Sequence, residues 1–400
     1  VKVYAAGVRA ARALKPVSFC DNAPMIRIDI RPVWRFRSGT EREFDFQLIT
    51  ILAGLEASSK LTQAAQDAGI SYRHAWNLIG EWEEFFGAPL VVKARGRGSS
   101  LSPLGKRLLW AGRRAQERLA PELDNLAAEF ARALNASPSE SAASLAMQAS
   151  HDFAIAILRD LAAASDDAID LHYKGSFDAL AALRRGQCDV AGFHVPEGRL
   201  GKLMAQRYSE CLPMPEHSLI AFVTRMQGLM VRSGNPKSIA DVSDLCRRDV
   251  RMINRQRGSG TRALLEFLIS AEGLDRARMQ GYEDEEMTHA AVAALIAGNQ
   301  ADVGFGVEAA AAQYRLDFVP VCAERYYLAC RTVELESRAI VAMIETLRGD
   351  TFREKVAGLP GYDAPHAGRI LTSFEAGPMR QAPASPRLVR QVNKSNQEAR

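Results

Sequence analysis

The order of signals between Phe44 and Leu108 admits few folds. Phe44, Leu48, Ile51, Leu52 and Leu55 recur every three or four residues and give a first helix one apolar face. Leu61, Ala64, Ala65 and Ala68 do the same for a short second helix, and Gly69 offers the positive φ of a tight turn. Ile70 plugs the core and Ser71 caps a third helix, whose inward face is Ala75, Leu78, Ile79, Trp82 and Phe86. After Gly87 and Pro89, Leu90–Lys93 predicts a strand, Arg95-Gly-Arg97-Gly98 a turn with two basic tips, and Ser100–Ser102 the returning strand. Ser102-Pro103 then caps a long helix that runs to about Ala133.

Helix pair, glycine turn, capped third helix and basic hairpin are the parts of a winged helix-turn-helix. In such a unit the N-terminal end of the third helix enters the major groove of DNA. Ser71, Tyr72, Arg73, Trp76 and Asn77 sit there on the outer face, and Arg and Asn suit base edges. Arg95 and Arg97 at the hairpin tip meet phosphates or the minor groove. Charge agrees: Phe85 to Gln116 holds seven basic residues and no acidic one. The plainer alternative is a small helical bundle whose basic residues only solubilise it.

The remainder of the 400 residues divides by composition. Residues 1–24 are unlike the rest of the chain and predict a poorly structured extension, with Met25 a second candidate start. Ile26, Ile28 and Ile30 alternate with charged residues and predict a half-buried strand. The DNA-binding unit is assigned to 25–102, a linker and dimerisation helix to 103–134, and a Ser- and Pro-containing linker to 135–143. From 144 to 376 short apolar strands (Ser144–Ala149, Ile169–His172, Asp189–Val195, Asp302–Val307) alternate with helices, the pattern of an α/β domain. The tail 377–400, with five basic residues and one Glu, predicts disorder. No apolar run approaches roughly 18 residues, and no apolar leader core is present, so no membrane span or signal peptide is expected. Six scattered cysteines without a C-x-x-C pair point to a reducing cytoplasm, and argue against a disulfide framework and a metal site.

Within 144–376, several strand-to-helix junctions carry hydroxyls. Val250–Ile253 runs into Gly258-Ser259-Gly260-Thr261, which opens a helix; Ser150, Ser176 and Thr288 stand at comparable junctions. Free N–H groups and hydroxyls at helix N-termini, gathered at the carboxyl ends of parallel strands, form anion sites. Each Ser or Thr alone is simply a cap. Ser150, Ser176, Ser259, Gly260, Thr261 and Thr288 together are the candidate ligand set, with His151, Lys174, Arg255, Arg257, Arg262 and His289 the cations nearby. Arg255, Arg257 and Arg262 have surface salt bridges as their alternative, and the histidines a neutral hydrogen-bonding role.

Two resemblances rest on particular runs. Ala65–Leu78, Phe86–Leu90 and Leu101–Leu108 resemble the DNA-binding domain of ModE-type molybdate-responsive regulators, relatives of the LysR type. Gly186–Gly192, Gly234-Asn-Pro236, Asn254–Arg262, Ala301–Gly306 and Leu359–Tyr362 resemble periplasmic-binding-protein-like (type II) domains found fused to such modules. The resemblance implies a homodimer or tetramer through the 103–134 helix, double-stranded operator DNA as partner, and no cofactor beyond a small anionic effector. Molybdate or tungstate is the effector it favours. Formate or a cofactor-related organic anion is the alternative, as is a ligand-storage module with a vestigial DNA-binding half.

Ser150-His151-Asp152 invites a hydrolase reading, but a triad is made by geometry and not adjacency. No G-x-S-x-G, H-E-x-x-H or Walker pattern is present, so no enzyme is expected. Cys322 and Cys330 are candidate redox sensors, with buried inert thiols the alternative.

Overall fold

The computed structural model describes residues 28–94, 98–135, 144–165, 167–213 and 216–371. The expected extension at 1–24, both hairpin-tip arginines (Arg95 and Arg97), most of the 135–143 linker and the 377–400 tail lie outside them. Among the described residues no helix is long and apolar enough to cross a membrane.

The first unit begins with β1 (Arg35–Ser38) and β2 (Thr40–Glu43), an antiparallel pair. Of the strand expected at Ile26–Ile30, Ile26 and Arg27 lie outside the described residues, and residues 28–30 do not form it. Residues 28–34 have no ladder partner and stay irregular, although Ile28 and Ile30 are half-buried. A strand needs a neighbour, and the turn at Gly39 folds β2 back along β1 alone. Phe36 and Phe44 meet the buried Trp82 ring at 5.5 and 4.9 Å. The helices are α1 (Gln47–Ser58), α2 (Leu61–Asp67) and α3 (Tyr72–Phe86), with Gly69 at φ +68° between the last two. The hairpin is β3 (Val91–Ala94) and β4 (Gly98–Leu101), leading into α4 (Pro103–Asn135). Ser102 Oγ accepts from Gly105 N at 3.0 Å, as a cap should. Leu48, Ile51, Leu52, Leu55, Ala75, Leu78, Ile79 and Trp82 form one core.

The second unit reads β5 (Leu145–Ala149), α5 (Phe153–Ala164), β6 (Ile169–Tyr173), α6 (Ser176–Arg184), β7 (Val190–Pro196), α7 (Arg199–Cys211) and β8 (His217–Val231). It continues with β9 (Met252–Arg255), α8 (Gly260–Ala271), β10 (Glu285–Glu286), α9 (His289–Ala297), β11 (Val303–Val307), α10 (Glu308–Gln313) and β12 (Asp317–Arg331). Last come α11 (Arg338–Arg348), α12 (Asp350–Ala357), β13 (Tyr362–Asp363) and β14 (Ile370–Leu371). The strand order is β10-β9-β11-β8-β12-β7-β5-β6. Parallel β6, β5 and β7 make one lobe; parallel β10, β9 and β11 make the other. The antiparallel 15-residue strands β8 and β12 run through both. Their register shifts between Pro320 and Cys322 and between Tyr326 and Tyr327, where the sheet passes from lobe to lobe. The result is a two-lobed α/β domain.

Candidate functional site

Two surfaces concentrate polar chemistry. On α3, Ser71 caps the helix by accepting from His74 N at 3.2 Å. Ala75, Leu78, Ile79 and Trp82 turn inward, which leaves Tyr72, Arg73, Trp76 and Asn77 exposed on the outer face. Arg73 and Asn77 lie four apart and share that face.

The second surface lies between the lobes. Ser150 Oγ and Ser176 Oγ are 3.4 Å apart, and His194 N donates to Ser176 Oγ at 3.4 Å. Across the cleft, a Cβ added at Gly260 would stand 3.9 Å from Ser176 Oγ, and one at Gly175 would stand 3.2 Å from Gly258 O. The structure thus brings Ser150, Ser176 and the first turn of α8 together. Ser259 caps α8 through Arg262 N at 3.2 Å, and Thr261 Oγ1 accepts from Gln227 Nε2 at 3.0 Å. Two caps differ from expectation. Asp152, not Ser150, caps α5, and Ser176 is the first residue of α6 with Gly175 as its cap. Thr288 caps α9 through Ala291 N at 2.9 Å, but its hydroxyl donates to Glu117 O on α4 at 3.3 Å and so turns away from the other hydroxyls.

The cations separate just as clearly. Arg257 is exposed and pairs with Glu283 and Glu285. Arg262 pairs with Glu266 and lies 4.3 Å over the Tyr282 ring. Lys174 is exposed. Arg255 is different: it is 5% exposed, its Nη2 donates to Met287 O at 2.9 Å, and its Nη1 has no partner. No carboxylate among the described residues pairs with it. Burial, then the neighbouring Arg225, push its pKa down to about 9, and the Glu324 carboxylate nearby offsets this only in part. Arg225 is buried too, but Asp152 and Glu324 neutralise it. Three histidines surround this pair. Burial first, then the arginines, lower His151 to about 4 and hold His194 and His289 well below 6.5, so all three are neutral. His194 Nε2, His289 Nδ1 and Gln227 Oε1 are buried and unpartnered. Unanswered polar atoms, a buried arginine without an ion-pair partner among the described residues and two helix N-termini thus gather between the lobes.

The arrangement does not form a triad. Both Asp152 oxygens are engaged, by Ala154 N, Arg225 and Tyr362, and Ser150 faces Ser176. Burial pushes the thiols of Cys322 and Cys330 up to about 12, which favours the inert alternative. Sequence reasoning missed Arg225, Gln227, His194 and Glu324, all of which lie on the lobe-crossing strands or β7.

α4 joins the two surfaces. Toward its middle, Arg114 pairs with the buried Glu286 at 2.8 Å, and Glu117 Oε1 accepts from Gln313 and Tyr314, each at 3.2 Å. Eight residues on, Asn125 exchanges two hydrogen bonds with the Tyr173 backbone in the other lobe. Pro121 stands between these anchors. It has no N–H to offer the Glu117 carbonyl four residues back, and Thr288 is the group that donates there.

Residues 158–348 match the family model of the PBP superfamily domain. An uncharacterized Bacillus subtilis protein, YvgK, is 33% identical over 199 residues; the match covers 50% of this chain and 64% of that protein. An uncharacterized Clostridium pasteurianum protein from the 5′ region of a 2Fe-2S ferredoxin gene is 31% identical over 112 residues, 28% of this chain and 99% of the relative. The molybdenum-pterin-binding protein MopB of Rhodobacter capsulatus is 28% identical over 28% of this chain and 40% of its own. Full-length BenM is structurally similar with a TM-score of 0.37 at 16% identity, covering 80% of this chain and 99% of that one. Residues 158–348 are similar to the PBP superfamily domain, and the chain belongs to the same family as the short Clostridium pasteurianum protein.

Proposed function

We propose that this chain is a one-component transcription regulator, not an enzyme: a winged helix at residues 35–102 binds operator DNA, and the two-lobed domain binds a small anion that sets its activity. The observation that carries the proposal is Arg255, buried with an unanswered guanidinium nitrogen between the lobes of a domain tied by one helix to the unit that exposes Arg73 and Asn77. The protein acts as a homodimer or tetramer through α4, where Leu126, Phe130 and Leu134 are 46, 57 and 60% exposed on spacings of four. Molybdate and tungstate are the effectors the sequence favours, and the name of the Rhodobacter relative supports testing them first. An organic anion is the second reading, favoured by an unpartnered acceptor, Gln227 Oε1, which a bare oxyanion does not answer.

Signalling runs through α4. Its two anchor sets are eight residues apart, about 12 Å of helix, and one set belongs to each lobe. A helix does not stretch, so the lobes cannot change their spacing without releasing one set, and an anion that prefers the closed lobes biases α4. The test has two arms. Calorimetry with molybdate, tungstate, sulfate and formate reads the cleft. Selection of operator sequences from random DNA, followed by titration of Arg73→Ala, reads the helix. Arg73→Ala should weaken the selected operator by about 1–3 kcal/mol and relax its sequence preference. An unchanged operator affinity in the folded variant would remove α3 from the interface.

A further inference from the structure

We infer that the effector is an anion that also carries a hydrogen-bond donor, an O–H or N–H beside its charged group, and that Gln227 reads that donor. The inference rests on the cleft being the anion site, and it sets the second reading, an anion other than molybdate or tungstate, above the first.

Gln227 lies on β8 with no exposed surface. Its Nε2 donates to Glu324 Oε2 at 2.8 Å and to Thr261 Oγ1 at 3.0 Å. Glu324 is ion-paired with Arg225, and an ionised carboxylate only accepts. The amide nitrogen must therefore face Glu324; turning the amide over would set two acceptor oxygens against each other. That fixes Oε1 as an acceptor, and it has no partner. Arg255 Nη1 is the complementary case, a buried donor with no acceptor. The two orphans are of opposite polarity, and both residues border the first turn of α8: Gln227 bonds Thr261 Oγ1 there, and the Arg255 carbonyl accepts from Arg262 Nη1 at 3.4 Å. An orphaned acceptor is costly to bury, so one answered only on binding becomes a selector. A fully deprotonated tetrahedral anion answers Arg255 and presents a further oxygen to the Gln227 carbonyl, which repels it. An anion bearing a proton answers both.

The chemistry has two sources, an inorganic oxyanion that keeps a proton or a small organic acid with a hydroxyl or amino group. Matched pairs differing in the donor alone separate them: hydrogenphosphate against sulfate, and glycolate against acetate. Each is titrated calorimetrically into the full-length protein, with molybdate and tungstate as further donor-free anions. In whichever pair binds, the donor-bearing member should bind about tenfold tighter or more. Gln227→Met should bring the ratio below about twofold, by weakening the donor-bearing member and relieving the donor-free one. Thr261→Val, which keeps the Gln227 carbonyl and its bond to Glu324, should weaken both members of a pair while retaining their ratio. Should Gln227→Met not fold, the ratios in the unmodified protein and in Thr261→Val still decide. Equal or tighter binding of the donor-free members, abolished by Arg255→Met, would overturn the donor inference and leave the anion site standing. If no compound binds the unmodified protein, the anion site falls and this inference with it.

Discussion

The proposed anion site turns on one side chain, Arg255. A structural arginine this deep ordinarily comes with a carboxylate, as Arg225 does with Asp152 and Glu324. Leaving one guanidinium nitrogen unanswered destabilises the empty protein, and a bound anion relieves it. Arg255→Met should therefore raise the unfolding free energy of the ligand-free protein, read from urea titration, by about 1 kcal/mol or more, while removing every anion-induced thermal shift. A variant less stable than its parent would mean that Arg255 serves packing. The three buried histidines add a pH dependence with a definite sign. Unfolded histidine takes up a proton below its ordinary value of 6.5, whereas His151 resists until about 4 and His194 and His289 resist further. Their folded values are depressed, so the unfolded chain binds more protons and stability falls as pH drops from 6.5 toward 4. Each histidine contributes up to about 1.4 kcal/mol per pH unit in that window and nothing above it. Urea titrations at pH 7.5, 6.5, 5.5 and 5.0 check this, and a midpoint that does not decline below 6.5 would contradict it.

Caps decide where the helices point their N–H groups. Ser259 closes the first turn of α8 and stands at the cleft, so its removal should act twice. Ser259→Ala should lower stability by about 0.5–2 kcal/mol through the lost cap, and combined with Ser176→Ala it should abolish the anion-induced thermal shift. If the double variant keeps a full shift, the hydroxyls are structural alone and Arg255 holds the anion unaided. Helices of this kind could be read from sequence because their information is local. Spacing placed the inward faces of α1, α2 and α3, Gly69 placed the turn, and Ser71, Ser102, Ser259 and Thr288 each cap a helix start. The lobe-crossing strands could not be read in this way. β8 is buried along nearly its whole length, so it lacks the alternation that reveals a half-exposed strand, and its partners lie about a hundred residues away. The residues that finish the cleft, Arg225, Gln227 and Glu324, sit on those strands and are brought together by non-local pairing. Among the cations, sequence had no means to separate Arg255 from Arg257, two residues on. One ends a buried strand and the other stands in solvent among acids contributed by residues 283–285.

At the scale of the molecule, the question is how a filled cleft is felt at α3, and the contact between Thr288 and α4 supplies a specific place to look. Pro121 deprives the Glu117 carbonyl of its intrahelical donor, and Thr288, the residue before His289 of the anion cluster, takes that role. A further close approach backs it: a Cβ at Gly298 would come within 1.8 Å of Trp110, so α9 and α4 touch where only glycine fits. Pro121→Ala is the informative change. Alanine restores an N–H that reaches the Glu117 carbonyl within the helix, so α4 no longer needs Thr288, while Thr288 still caps α9 through Ala291 N. The helix itself gains stability, by up to about 3 kcal/mol at an interior position. We expect anion affinity to stay within about twofold of the parent, because no cleft group is altered, and the change in operator affinity on adding the anion to shrink by several-fold. The measurement is operator binding by fluorescence anisotropy with and without saturating anion, for the parent, Pro121→Ala and Gly298→Ala. Gly298→Ala should weaken the same response by displacing α9 from Trp110 through a different contact. Full anion responses in both variants would show that occupancy is communicated by a route other than α4, whereas loss of response with intact binding places the coupling at the seam between α4 and α9.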